Sequence, residues 1–288
     1  MSENLAPKRV RSFPLSNGIT LVADCWGDET HHPVILAHGG GQTRHAWGET
    51  SRRLAAKGWY AITIDQRGHG ESSWSATGEY MVQDFANDMV LLCAQLSQKP
   101  VLIGASLGGL AGLIAEGDSP TSQFSHIILV DVTPSIEKKG VDKVLGFMGQ
   151  NIEAGFASLE EAANVIAAYL PHRKRPTNLE GLRKNLRQDA DGRFRWHWDP
   201  KFMSQREMPQ SAEADNPMIH AAKKVTIPTL LVRGKLSELV SEESVKNFKQ
   251  LVPHSEFVDV SDAGHMVAGD KNDNFTEAIL GFMEKYRP

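Results

Sequence analysis

The sequence predicts an α/β protein, a mostly parallel sheet with helices on both faces. Three observations carry that prediction. Short continuous apolar runs recur and end in glycine-bearing loops, helical spacings separate them, and the rhythm breaks only once, after Asp131.

Residues 9–16 and 19–26 read as two antiparallel strands joined at Asn17-Gly18, a dipeptide that supplies positive φ to a tight hairpin. Val34-Ile35-Leu36-Ala37 is apolar on both faces, as a buried strand must be, and leaves through His38-Gly39-Gly40-Gly41. A helix over 45–57 follows and stops at Gly58. Next come a strand over 59–64 and the loop Asp65-Gln66-Arg67-Gly68-His69-Gly70-Glu71-Ser72. Met81, Phe85, Met89, Leu92 and Leu96 recur at helical spacing within 80–97. A strand over 101–103, a helix over 107–116 and a strand over 127–130 continue the alternation.

From 134 to 225 the pattern changes to helices at 141–155, 158–169 and 177–188, with several prolines and no buried strand. The β/α rhythm resumes with Thr229-Leu230-Leu231-Val232, a helix over 241–251, Phe257-Val258-Asp259-Val260 and a closing helix over 272–286. The expected organisation is one core, 1–133 with 226–288, interrupted by a helical cap at 134–225.

Composition narrows the function. The chain has 288 residues, of which 41% are hydrophobic and 23% charged, so it has the apolar material for a large core and is expected to be soluble and globular. A net charge of −4 without a basic block argues against nucleic acid. No apolar run approaches the roughly 18 residues of a membrane span, and no signal-peptide pattern opens the chain, so a cytoplasmic address is expected. Cys25 and Cys93 are too few for a disulfide framework, and neither they nor the His and carboxylate residues show metal-ligand spacing, so no metal is implied, and the serine chemistry read below needs no cofactor. Oligomeric state stays open.

Gly104-Ala105-Ser106-Leu107-Gly108 has the form Gly-x-Ser-x-Gly between a predicted strand and a predicted helix, where small neighbours let a serine hydroxyl stand clear of the sheet. Such a serine needs a base. His265, after the last strand and before the last helix, falls on the same sheet edge. Glu238, after the strand at 229–233, is the preferred acid to orient the imidazole, and Asp131, at the end of the strand at 127–130, is its competitor. The backbone N–H groups of Gly40 and Leu107 are the candidate oxyanion donors. The glycine run has neither the Gly-Lys-Ser/Thr of a phosphate cradle nor the spacing of a dinucleotide fingerprint. Trp196 and Trp198, in an aromatic stretch of the cap, and Trp47 are candidate pocket residues, with Phe147 and Met148 beside them.

On these residues the chain resembles the α/β-hydrolase superfamily over nearly its whole length. His38-Gly39, the loop from Asp65, the serine turn, the cap and Gly264-His265 recur in the family's order. The resemblance implies an α/β-hydrolase fold with a helical cap inserted after strand six, and hydrolysis by Ser106, His265 and Glu238. Within the superfamily the chain looks like cap-bearing bacterial serine esterases, some of which carry a peroxidase-like label. It departs at the acid, for the family commonly has Asp three residues after the loop glycine, where this chain has Ser237. Relatives that attack with Asp at the position of Ser106 are disfavoured. The expected substrate is a small, largely uncharged ester or lactone. Carbon–carbon bond hydrolysis and perhydrolysis use the same groups, and a non-catalytic small-molecule receptor is the alternative of another class.

Overall fold

A computed structural model describes residues 8–135, 137–170, 175, 177–204, 216–261 and 273–287. The chain opens with β1 (Arg9–Pro14) and β2 (Thr20–Trp26), an antiparallel hairpin in which Gly18 has φ +84°. Then follow β3 (Pro33–Ala37), a 3-10 turn (Arg44–Trp47), α1 (Gly48–Ala56), β4 (Tyr60–Ile64), α2 (Val82–Cys93), β5 (Val101–Ala105), α3 (Leu107–Gly117) and β6 (His126–Val130). The inserted segment holds α4 (Lys138–Met148), α5 (Leu159–Tyr169), a 3-10 turn (Glu180–Lys184), β7 (Leu186–Gln188), β8 (Phe194–Trp196) and α6 (Lys201–Ser204). The chain returns through α7 (Pro217–Lys224), β9 (Thr229–Gly234), α8 (Glu242–Leu251), β10 (Glu256–Val260) and α9 (Asp273–Lys285).

Eight strands form one sheet in the order β1-β2-β4-β3-β5-β6-β9-β10, parallel from β4 to β10. Every residue of β3, β4, β5 and β6 is buried, because helices cover both faces. Val34 and Leu36 face a core with Leu54 of α1 and Ile279 of α9, while Ile35 and Ala37 face the core shared by α2, α3, α7 and α8. The chain runs outward from β3 to β4 and then crosses back to β5. The carboxyl ends of β3 and β5, which are hydrogen-bonded neighbours, therefore flank the switch point where such sheets bind ligands.

Two parts of the inserted segment differ from expectation. The helix expected over 177–188 is a 3-10 turn followed by a strand. Leu179, Leu182 and Leu186 imitate helical spacing, but Asp191-Gly192 turns the chain, with Gly192 at φ +79° and its N–H donating to Asp189 O at 2.9 Å. The last helix, α7, lies on the sheet face against α3, where a Cβ on Gly117 would meet Ala221 O at 2.2 Å. It is the crossover helix that leads back to β9.

Candidate active site

Ser106 occupies the turn between β5 and α3 at φ +46° and ψ −114°, a backbone that costs about 1–3 kcal/mol in a non-glycine residue. Packing enforces it. A Cβ on Gly104 would stand 2.7 Å from the Gly108 carbonyl carbon, and one on Gly108 would stand 2.6 Å from Ala37 O. Strand and helix therefore cross at a separation only glycine permits, and the chain must turn sharply at the serine.

The loop after β3 approaches the same point, for a Cβ on Gly39 would lie 3.3 Å from the Cβ of Ser106. Its amides are mostly engaged. Gly39 N–H donates to Gln42 Oε1 at 2.9 Å, Gly41 N–H to His69 Nε2 at 3.0 Å, and Gln42 N–H to Gly39 O at 3.2 Å. The Gly40 and Leu107 N–H groups make no such bond among the described residues. His38, fully buried, lies with Nδ1 2.8 Å from Gly39 O and accepts from Gln66 N–H through Nε2 at 3.1 Å. Burial pushes its pKa below the ordinary value and outweighs the pull of Asp65.

Behind this loop Arg44 is buried among three carboxylates, Asp24, Asp65 and Glu71, and its own N–H donates to Asp65 Oδ1 at 2.6 Å. Asp65 Oδ2 also accepts from Glu71 N–H at 3.0 Å, so the carboxylate that closes the loop after β4 is the one Arg44 ties to the loop after β3. Sequence reasoning used His38 only as part of a family motif and assigned no role to Gln42, Arg44 or His69. The signal was there in the polar residues that directly follow two wholly apolar strands.

The two candidate acids have different settings. Asp131, at φ +51°, is buried beside the elbow, since Ser106 N–H donates to Val130 O at 3.2 Å. Its carboxylate accepts from Gly234 N–H at 3.0 Å and from Ser237 Oγ at 2.6 Å. Glu238 has a side chain 60% exposed, and both its oxygens accept from Lys143 Nζ of α4, at 2.8 and 2.7 Å. His265 lies outside the described residues.

Ser106 opens into a cavity of about 330 Å³ walled on one side by the glycine loop and on the other by the inserted segment. Trp196 and Trp198 line it, stacked at 4.9 Å, and Trp196 Nε1 donates to Gln150 O at 3.1 Å. Phe147, stacked on Tyr169 at 4.1 Å, and Met148 belong to the same apolar wall. Burial, together with the nearby charge of Glu238, raises the pKa of Tyr169. Trp47 is not part of the wall, contrary to expectation: it is fully buried in the core on the other face of the sheet, near Phe275. Its turn delivers the indole beneath the sheet, where apolar burial holds it. The inserted segment is anchored by backbone bonds from Gly70 N–H to His197 O at 2.7 Å and from Asp199 N–H to Gly68 O at 2.8 Å. Among the described residues no helix is long and apolar enough to cross a membrane.

Comparison with known proteins agrees with this geometry. Residues 32–271 match the family model of the alpha/beta hydrolase fold. The chain is 28% identical to a 3-hydroxybutyrate-oligomer hydrolase of Cupriavidus necator, over 83% of this chain and 85% of that protein. It is 30% identical to a 2-(acetamidomethylene)succinate hydrolase of Mesorhizobium japonicum, over 77% and 78%. A solved alpha/beta hydrolase from Novosphingobium aromaticivorans superposes with a TM-score of 0.81 at 23% identity, covering 97% of this chain and 99% of that one. The sheet order and the family match establish that this chain belongs to the α/β-hydrolase fold family, as an esterase-like hydrolase.

Proposed function

We propose that this enzyme cleaves a small carboxylic ester or lactone through an acyl-enzyme on Ser106. The observation that carries the reading is the serine's strained turn at the mouth of a largely apolar cavity, flanked by N–H groups of Gly40 and Leu107 that are uncommitted among the described residues. His265 removes the Oγ proton as Oγ attacks the carbonyl carbon, and the two N–H groups hold the resulting oxyanion. Collapse expels the alcohol, which takes the proton from His265. A water, deprotonated by the same histidine, then releases the acid and restores Ser106. The cavity volume is near the lower end of the roughly 300–1,000 Å³ typical of small-molecule sites. The inserted segment acts as a cap that keeps bulk water from the acyl-enzyme, and the name of the Cupriavidus relative also points to an ester.

For the acid we favour Asp131 over Glu238. What supports it is burial and hydrogen bonding beside the elbow, which hold a carboxylate in one orientation. Glu238 is exposed and engaged by Lys143. The test is p-nitrophenyl ester hydrolysis with labelling by a serine-directed phosphonate. Ser106→Ala is expected to lower kcat by about 10⁴-fold or more and to abolish labelling. Asp131→Asn is expected to cost far more than Glu238→Gln. The reverse order would return the role to Glu238, and full activity in Ser106→Ala would end the reading.

A further inference from the structure

Among its described residues the cavity wall contains no carboxylate, yet it contains Lys184 and, next to it, Asn185. Two acids close to the wall are already engaged. Asp24, 3.5 Å from the wall residue His45, is paired with Arg44 and Lys8, and Glu238 is paired with Lys143. Lys184 has no ion pair among the described residues. Asn185 is oriented: its Oδ1 accepts from Thr43 Oγ1 at 3.1 Å, and the same hydroxyl reaches Lys184 O at 3.2 Å. With the oxygen committed, the two N–H donors of Nδ2 have no acceptor among the described residues. One hydroxyl of the glycine-loop segment thus holds the Lys184 backbone and the Asn185 amide at the cavity that holds the serine, with the exposed Lys184 at its rim.

We infer that Lys184 and Asn185 form a carboxylate-binding subsite, so that the substrate cleaved at Ser106 carries a carboxylate as well as its ester. The inference rests on the hydrolase reading of the same cavity and departs from the largely uncharged substrate expected from sequence. One ammonium with one amide matches a single negative charge. A phosphate dianion would call for more cations or a bidentate guanidinium.

The test compares two pairs of esters. In the first, mono-p-nitrophenyl glutarate is set against its methyl-capped analogue, which puts the charge on the acyl side. In the second, the butyryl ester of 3-hydroxybutyrate is set against its methyl ester, which puts the charge on the alcohol side. One pair is expected to show kcat/KM about tenfold or more higher for the free carboxylate, as a charge-assisted hydrogen bond allows. Lys184→Met should bring that ratio close to one, and Lys184→Glu should invert it. Equal rates within both pairs, or a preference that survives Lys184→Met, would overturn the subsite and leave the hydrolase reading intact. Glutarate binding to Ser106→Ala protein, measured by calorimetry, separates the two. Loss of binding on adding Lys184→Met supports the subsite even if no ester is turned over, which would sink the hydrolase reading alone. Binding indifferent to Lys184 would overturn the subsite.

Discussion

His69 decides which amide of the glycine loop is committed. Its Nε2 accepts the Gly41 N–H at 3.0 Å, and its Nδ1 lies 2.9 Å from Arg67 O. Both contacts are satisfied only with the proton on Nδ1. The ring is buried and set edge-on against Phe202 at 4.6 Å, so it cannot swing away. By fixing Gly41, His69 holds the turn in which the Gly40 amide is the one left over. An oxyanion donor matters most once charge has developed, so loosening the loop should lower kcat more than it changes KM. His69→Leu is expected to lower kcat by about 10- to 100-fold, and His69→Gln, which keeps an acceptor, to recover part of the loss. Rates normalised to the fraction of Ser106 that a phosphonate labels separate this from simple misfolding. An unchanged kcat per labelled serine would show that the loop holds its shape without the imidazole.

Among the elements, the crossing of β5 with α3 carries the most consequence. Gly108 faces β3 so closely that even a methyl group would overlap Ala37 O and Ala37 Cβ, at 2.6 and 2.7 Å. Gly108→Ala is therefore expected to push α3 off the sheet and destabilise the fold by about 1–3 kcal/mol, the usual cost of overpacking. Phosphonate labelling of Ser106 should slow as well, because the turn opens. A thermal midpoint and labelling rate equal to wild type would contradict that packing. The Gly-x-Ser-x-Gly spacing made this crossing legible from residues alone, and the apolar runs at Val34, Leu102 and Ile128 made the buried strands legible. Less was legible where the chain packs by contact rather than by period. Leu179, Leu182 and Leu186 imitated a helix until Asp191-Gly192 turned the segment into a hairpin. Trp47 looked like a pocket residue until the fold placed it beneath the sheet. The two candidate acids could not be separated by spacing: Asp131 and Glu238 both follow a strand, and that one is buried and the other exposed is a tertiary fact.

Over the whole molecule, burial of polar side chains makes stability depend on pH with a definite sign. His38 is fully buried, and its pKa is pushed below the ordinary 6.5 by burial; His126 and His197 are pushed the same way for the same reason. As pH falls through about 6.5, the unfolded chain takes up protons that these native imidazoles refuse. Stability is therefore fully present above that value and is lost as pH falls below it toward the native pKa values. Each such histidine contributes a slope of up to about 1.4 kcal/mol per pH unit within that window. Asp24 acts lower on the scale. Burial alone would raise its pKa, but hydrogen bonds from His45, Lys8 and Arg44 more than reverse that and hold it well below the usual 3.8. Its share of stability is present above about pH 3.8 and is lost only as pH falls further. Urea unfolding from pH 8 to 5 should thus show midpoints that decline below about 6.5. His38→Gln lowers stability at every pH, because it disturbs the bonds to Gly39 and Gln66, yet it should flatten the decline. A midpoint constant from pH 8 to 5 in the wild type would mean that these imidazoles accept protons in the native state, and that the glycine loop keeps its shape with His38 charged.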